Sequence, residues 1–96
     1  MSISSYSPQL PLGVGEETNS LTVTFNRELT SSEESSFSAT LYVMDGVEGD
    51  EVGWTMSDGN IDYNDSRKGT YTISGATLTI SLVSNAQITA MALADD

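Results

Sequence analysis

The sequence predicts an all-β protein: one small antiparallel β-sandwich or barrel of about 6–7 strands, preceded by an extended N-terminal arm. Two observations favour this fold. Short segments in which apolar and hydroxyl residues alternate recur along the chain, with turn residues between them, and neither a heptad nor a strand–helix–strand alternation is present. One of these segments, residues 69–83, has a register that can be read directly from its side chains.

We expect residues 1–17 to form the extended arm and residues 18–96 to form the β domain. Pro and Gly residues interrupt the arm at four places, and it shows no sustained period. Its first fifteen residues carry no charged side chain, whereas disordered tails are usually charged. We therefore expect the arm to lie on a protein surface, either that of its own domain or that of a neighbouring subunit.

Three strands are expected at residues 21–27, 37–44 and 52–56. In the first two, apolar side chains occupy every second position, which is typical of a strand with one face in the core. The third is short and centred on Trp54, the single tryptophan.

Between the first two strands, residues 28–36 predict a polar loop or one helical turn. Thr30 or Ser31 would cap that turn ahead of Glu33 and Glu34.

Residues 69–83 predict a β-hairpin. Gly75 and Ala76 form its two-residue turn, with Gly75 at the first central position of a type II′ turn. Every cross-strand pair then joins two apolar or two hydroxyl residues, and a slip of one residue would place each apolar side chain on the wrong face. The pairs are Ser74–Thr77, Ile73–Leu78, Thr72–Thr79, Tyr71–Ile80 and Thr70–Ser81.

The remaining segments are less regular. Residues 57–67 predict an acidic loop, in which residues 61–63 could add a short strand. Ser84 and Asn85 predict a turn. Residues 86–94 predict a closing strand, with a short helix as the alternative because Ala, Met and Leu are good helix formers.

Composition narrows the functional classes. The chain has no Cys and no His, so it lacks thiol chemistry and the commonest general base, and no ordinary catalytic triad can form. We expect it not to be an enzyme. Its net charge of −11 disfavours nucleic acid and anionic membrane surfaces as partners. The acidity serves solubility alone, or it indicates a basic partner or a cation-rich medium.

The first residues lack the basic and apolar regions of a secretion signal, and the initial Met is typical of a product made intact in the cytoplasm. No apolar run approaches the ~18 residues that a membrane helix needs.

One acidic stretch offers a candidate Ca²⁺ site. Its oxygen-bearing side chains stand at alternate positions, a spacing that could wrap a hard cation. The match to a helix–loop–helix Ca²⁺ loop fails where Tyr63 replaces the turn glycine and Gly69 replaces the bidentate glutamate, and a solvated turn is the alternative. No other cofactor is indicated. The candidate ligands are Asp58, Asn60, Asp62 and Asn64.

Two further patterns could bind ligands. The aromatic residues could form a platform for sugar rings, or Trp54 and Tyr71 could be core residues with polar tips at its edge. Recurrent Thr-x-Thr pairs resemble the hydroxyl faces of ice-binding β-proteins, although Thr is also a good strand former. The aromatic residues are Tyr42, Trp54, Tyr63 and Tyr71, and the pairs are Thr22/Thr24, Thr70/Thr72 and Thr77/Thr79.

Charge is distributed unevenly. Residues 45–65 contain seven of the fourteen acidic residues, whereas residues 69–94 contain no charged side chain. Exposed edge strands usually carry protective charges, so either the strands of this hairpin are interior or another subunit covers them. The residues expected at such an interface are Tyr6, Leu10, Leu12, Thr70, Thr72, Thr79 and Ser81.

In its size, its lack of Cys and His, its wealth of Ser and Thr and its Pro-containing arm, the chain resembles minor structural proteins of virus particles. Examples are capsid decoration (cement) proteins and fibre domains of tailed phages. The resemblance implies a non-enzymatic assembly protein of the virion whose partners are capsid protein or its own subunits, with residues 45–65 facing solvent. The alternative is a small extracellular module that binds carbohydrate or Ca²⁺.

Overall fold

A computed structural model describes residues 1–45 and 49–94. Within these residues the chain forms seven strands and one short helix, so the predicted all-β class is confirmed. The elements are β1 (Ile3–Ser7), β2 (Thr18–Phe25), α1 (Ser31–Ser35), β3 (Ser38–Asp45), β4 (Asp50–Ser57), β5 (Asn60–Tyr63), β6 (Ser66–Ser74) and β7 (Thr77–Leu93).

Five strands close into an antiparallel barrel. Strands β3, β4, β5 and β6 pair in chain order, and β7 pairs with both β6 and β3 to close the ring. Strands β2 and β1 extend the sheet beyond the barrel, because β2 pairs with β7 and β1 pairs with β2. Strand β7 is therefore hydrogen-bonded to three other strands: β2 and β6 along its first half, and β3 along its second.

The core follows from the alternation of side chains along these strands. Inward positions carry Leu, Ile, Val and Met, and each such side chain contributes about 1.5–3 kcal/mol when it is fully buried. No polar or charged side chain is buried in the described part of the chain. The fully buried side chains are Leu21, Val23, Leu41, Val43, Met56, Ile61, Leu78, Ile80 and Ile88.

The hairpin of β6 and β7 has the predicted register, pair for pair, from Ser74–Thr77 to Thr70–Ser81. Gly75 has a φ of +62°, while Ala76 does not have a positive φ. A positive φ at the first central residue alone is the signature of the predicted type II′ turn.

Helix α1 is the single helical turn that residues 28–36 predicted. Thr30 is its N-cap: its hydroxyl oxygen accepts a hydrogen bond from the backbone N–H of Glu33 at 3.1 Å, and the Glu33 carboxylate accepts one from the backbone N–H of Thr30 at 2.9 Å. Arg27 donates two further bonds to Glu33, at 2.8 and 2.7 Å. No helix among the described residues is long and apolar enough to cross a membrane.

The predicted turn at Ser84 and Asn85 is wrong, and so is the helical alternative for residues 86–94. Strand β7 continues through both as a single 17-residue strand. Strand β7 has a bulge opposite β2. Ser81 pairs with Ser20 and Ala86 pairs with Thr18, so β7 has more residues than β2 between these two pairs. Val83, Ser84 and Asn85 of this bulge are exposed at the surface, which explains why Ser84 and Asn85 are residue types common in turns.

The short strand that residues 61–63 could add is confirmed as β5, whereas the rest of the predicted acidic loop at residues 57–67 is replaced by two tight turns and the ends of β4 and β6. Asp58 and Gly59 connect β4 to β5, with φ values of +52° and +80°. Asn64 and Asp65 connect β5 to β6, with φ values of +48° and +63°. Two consecutive positive φ values are typical of type I′ hairpin turns.

The N-terminal arm lies on its own domain. Its residues 3–7 form β1. The backbone N–H of Ser2 donates to Asn26 Oδ1, and the backbone N–H of Asn26 donates to the carbonyl oxygen of Ser2, each at 2.9 Å. Farther along, Leu10 is buried in the core, and the backbone N–H of Leu12 donates to the carbonyl of Ile88 at 3.0 Å.

Candidate functional site

The four predicted Ca²⁺ ligands are spread along an extended strand. Asp58 and Asn64 occupy the turns at the two ends of β5, and Asn60 and Asp62 lie within it. Alternate residues of a strand are about 6.6 Å apart, whereas Ca²⁺ ligands all lie within about 2.6 Å of one ion. Strand geometry therefore does not gather these oxygens around one point.

Asp62 is also engaged by a cation of the protein itself, since its carboxylate accepts a bond from Arg67 Nε at 2.6 Å. Across residues 1–45 and 49–94, no three acidic side chains are grouped so as to hold a metal ion.

The fold brings three uncharged segments side by side: β1, β2 and the hairpin of β6 and β7. Strands β1, β2 and β7 contain no charged residue, and β6 contains none from Gly69 onward. Because these strands are neighbours in the order β1–β2–β7–β6, their outward side chains form one continuous surface. The sequence indicates Thr22/Thr24 as one of the recurrent Thr-x-Thr pairs, and the pairing of β2 with β7 places this pair beside Thr77 and Thr79.

This surface, which we call the hydroxyl face, consists of Ser and Thr side chains in three rows across the four strands. The described structure shows no hydrogen bond from any of these side-chain hydroxyls to another protein group. Solvent or a partner is therefore their only source of bonds. The rows are Ser7–Thr22–Thr79–Thr72, Ser5–Thr24–Thr77–Ser74 and Ser20–Ser81–Thr70.

The residues predicted at an interface divide into two groups. Thr70, Thr72, Thr79 and Ser81 are exposed and lie together on the hydroxyl face. The three residues of the arm face the protein's own interior: Leu10 belongs to the core, and Tyr6 and Leu12 are half-buried against it. Burial raises the pKa of the Tyr6 phenol above its ordinary value.

The uncharged hairpin needs no partner to protect an edge, because β7 is interior to the sheet and β6 pairs with both β5 and β7. Among the strands of residues 1–45 and 49–94, β1 is the one paired on one side only. It has five residues and a bulge between Ile3 and Ser5, two features that limit edge-to-edge pairing. A partner would therefore meet the outward face of the sheet more readily than its edge.

A groove opens where two bulges meet. On β6, Gly69 pairs with Ile61 and Arg67 pairs with Asp62, so Lys68 between them is an extra, unpaired residue. The bulge of β7 lies beside it, because Gly69 also pairs with Leu82. The resulting groove has a volume of about 320 Å³. Its lining residues are Glu17, Met44, Asp45, Trp54, Ser66, Arg67, Lys68, Val83, Ser84, Asn85 and Ala86.

Trp54 supplies the aromatic surface of this groove, which we call the Trp54 groove. It is half-buried on β4, opposite Leu41 of β3. The Nζ atom of Lys68 lies 5.4 Å from the centre of its ring, within cation–π range. Two of the three basic residues in a chain of net charge −11 thus meet at this one place.

The other aromatic residues do not join Trp54 in a platform. Tyr71 is buried beside Phe37, with ring centres 5.5 Å apart, and Phe37 in turn contacts Phe25 at 6.1 Å. The core alternative is therefore correct for Tyr71. Tyr42 and Tyr63 are half-buried and do not line the groove.

Comparison of the chain with protein-family models, with curated proteins and with solved structures gave no match.

Proposed function

We propose that the chain is a non-enzymatic structural protein that docks onto a neighbouring protein subunit through its hydroxyl face. A minor decoration or fibre protein of a virus particle works in this way, with capsid protein or further copies of itself as partners. The observation that carries the proposal is the continuous uncharged surface across β1, β2, β7 and β6 in a protein whose net charge is −11.

The chemistry of this face suits a partner that is met after folding. The centres of protein interfaces are depleted of charged residues, because each charge would have to be desolvated. Ser and Thr hydroxyls bond well with water, so the free protein stays soluble. They also bond well with backbone and side-chain groups of a partner, and the Thr methyl groups add apolar contact.

The size of the face favours repeated, individually weak contacts. Four strands about 4.8 Å apart, each spanning about five residues at 3.3 Å per residue, cover on the order of 300 Å². A standard stable interface buries about 800 Å² on each partner. A single face would therefore bind weakly, whereas several linked copies on one particle would gain from a high effective concentration.

The acidic residues fit the same arrangement. Three of them lie where β3 ends and β4 begins: Asp45, Asp50 and Glu51. Two more, Asp58 and Asp65, lie in the turns before and after β5. All five are exposed, and none of them belongs to the rows of the hydroxyl face. They would keep the outer side of a docked copy hydrated and soluble.

The test is to place a charge on the face. Thr79→Lys and Ser81→Lys change exposed residues, so the isolated domain should melt close to the wild-type temperature. Binding to the partner particle, measured by co-sedimentation from cells of the native source, should weaken about tenfold or more, because the new ammonium would be desolvated in the contact.

Thr55→Lys is the matched control. It makes the same change at an exposed position on β4, outside the hydroxyl face, and should leave co-sedimentation unchanged. The proposal fails if light scattering shows only monomer and the protein is absent from every fast-sedimenting particle. It also fails if the Thr79→Lys and Ser81→Lys proteins assemble as the wild type does.

A further inference from the structure

We propose that the Trp54 groove is a binding site for a neutral saccharide. Trp54 would contact the apolar face of a sugar ring, while Lys68, Asn85 and Asp45 would bond with its hydroxyls. This inference uses residues outside the hydroxyl face and does not depend on the proposed assembly function.

The groove is built by specific irregularities of the sheet. The β6 bulge inserts Lys68 into the strand, and the β7 bulge inserts residues on the opposite wall. Bulges redirect side chains and are over-represented next to functional sites. Gly69 allows the two bulged strands to lie this close, because a Cβ at this position would collide with the backbone of Ser81 and Leu82.

The dimensions fit a small ligand. Binding sites for small molecules usually have volumes of about 300–1,000 Å³, and this groove has about 320 Å³. A second cavity, lined by Phe37 and Leu93 among others, has only about 140 Å³. The Trp54 groove is therefore the better candidate of the two, at the lower end of the usual range and suited to one or two sugar rings.

The lining favours a ligand that is polar but uncharged. Its charged side chains are two cations, Arg67 and Lys68, and two anions, Glu17 and Asp45, and Arg67 is also paired with Asp62 outside the lining, so neither sign of charge dominates the groove. An anionic ligand would meet both carboxylates in a protein of net charge −11, and a cationic ligand would meet Lys68 and Arg67. A polyhydroxyl ring can donate to the carboxylates and accept from the ammonium at the same time.

The remaining groups complete this chemistry. The side-chain amide of Asn85 offers both a donor and an acceptor, which suits neighbouring hydroxyls on a ring. Trp54 is half-buried, and the Lys68 ammonium lies over its ring at 5.4 Å. The apolar C–H face of a sugar would take the place of this ammonium against the indole, and the displaced ammonium would bond with the sugar hydroxyls.

The single tryptophan makes the experiment direct, because all indole emission comes from this groove. We would titrate the wild-type protein with glucose, galactose, mannose, N-acetylglucosamine and their short oligomers, and follow the emission of Trp54. We expect at least one of them to cause a saturable change. For a ligand of about a dozen heavy atoms at ordinary efficiency, the Kd should be about 1 mM. Glucuronate, with a carboxylate on the same ring, should bind more weakly than glucose.

Variants locate the binding. Asn85→Ala and Lys68→Ala should each raise the Kd about fivefold or more, while Thr72→Ala, on the hydroxyl face, should leave it unchanged. Melting curves establish that each variant is folded. The proposal is overturned if no saccharide changes Trp54 emission at saccharide concentrations well above about 1 mM. It is also overturned if glucuronate binds more tightly than every neutral sugar, or if the Asn85→Ala and Lys68→Ala proteins bind saccharide as the wild type does.

Discussion

Replacing Gly69 with Ala should destabilise the barrel, because the backbones of β6 and β7 leave no room there for a side chain. A Cβ at Gly69 would collide with the carbonyl oxygen of Ser81 and would lie 2.9 Å from Cα and 3.0 Å from Cδ2 of Leu82. Two of these three atoms belong to the backbone, so relief requires the strands to separate.

The size of the effect follows from two opposing terms. Overpacking that shifts the backbone costs about 1–3 kcal/mol, and this contact belongs at the upper end because it strikes main-chain atoms. Replacing Gly with Ala also restricts the unfolded chain, which stabilises the folded state by about 0.4–1 kcal/mol. We therefore expect a net loss of about 2 kcal/mol, which lowers the Tm of a domain of this size by roughly 10 °C.

The assay is thermal and urea unfolding, followed by circular dichroism and by Trp54 emission. Gly53→Ala is the matched control, since Gly53 is also a strand glycine and neither residue has a positive φ. Its added Cβ would lie 2.8 Å from Cγ2 of Thr40 and 3.3 Å from Cε1 of Tyr42, side-chain atoms that can rotate away. This variant should stay within about 0.5 kcal/mol of the wild type. If Gly69→Ala is no less stable than Gly53→Ala, the reasoning about strand approach is wrong.

Two further changes probe the helix and the arm. Hydrogen bonds, chiefly from Arg27, lower the pKa of Glu33 from 4.5 to about 2, so its stabilising effect is present above about pH 4.5 and is lost as the pH falls through about 2. Between about pH 5 and pH 2 the Tm of the Glu33→Gln protein should therefore fall less than the Tm of the wild type. The control, Glu34→Gln, should follow the wild type. Parallel curves of Tm against pH for all three proteins would contradict this reasoning. Leu10→Ala should cost about 2–4 kcal/mol, because Leu10 is buried in the core, whereas Val14→Ala, at a side chain that is 98% exposed, should change the Tm little; equal melting of the two would show that the arm is not packed.

The hairpin could be predicted because its information is local. The turn at Gly75 sets the pairing of β6 with β7, and each pair from Ser74–Thr77 outward then satisfies the same polarity rule. The same kind of signal was present at Asp58 and Gly59, since Asp-Gly is a strong type I′ signal. The surrounding acidic residues favoured a loop interpretation, and with it a Ca²⁺ site that the extended strand does not assemble.

The Trp54 groove could not be predicted, because it depends on contacts between distant segments. Trp54, Lys68 and Asn85 approach each other only after β7 has closed the barrel. Bulges also leave no distinct pattern in a sequence. Asn85 is a residue type common in turns, although it lies within β7. Lys68 is recognised as a bulge residue only from the pairing of β5 with β6.

Strand β7 has a consequence for biosynthesis. It is the last of the barrel strands in chain order, yet it pairs with β2, β3 and β6. While the ribosome is still making residues 77–93, the nascent chain can hold only the meander of β3 to β6, with open edges on β3 and β6, and the β1–β2 pair beside it. Open edges invite pairing between nascent chains on one polysome. Residues 45–65, within this meander, contain seven of the fourteen acidic residues, and like charges on neighbouring nascent chains repel each other. We therefore expect the uneven charge distribution to oppose association of unfinished chains, independently of any partner that the folded protein meets afterwards.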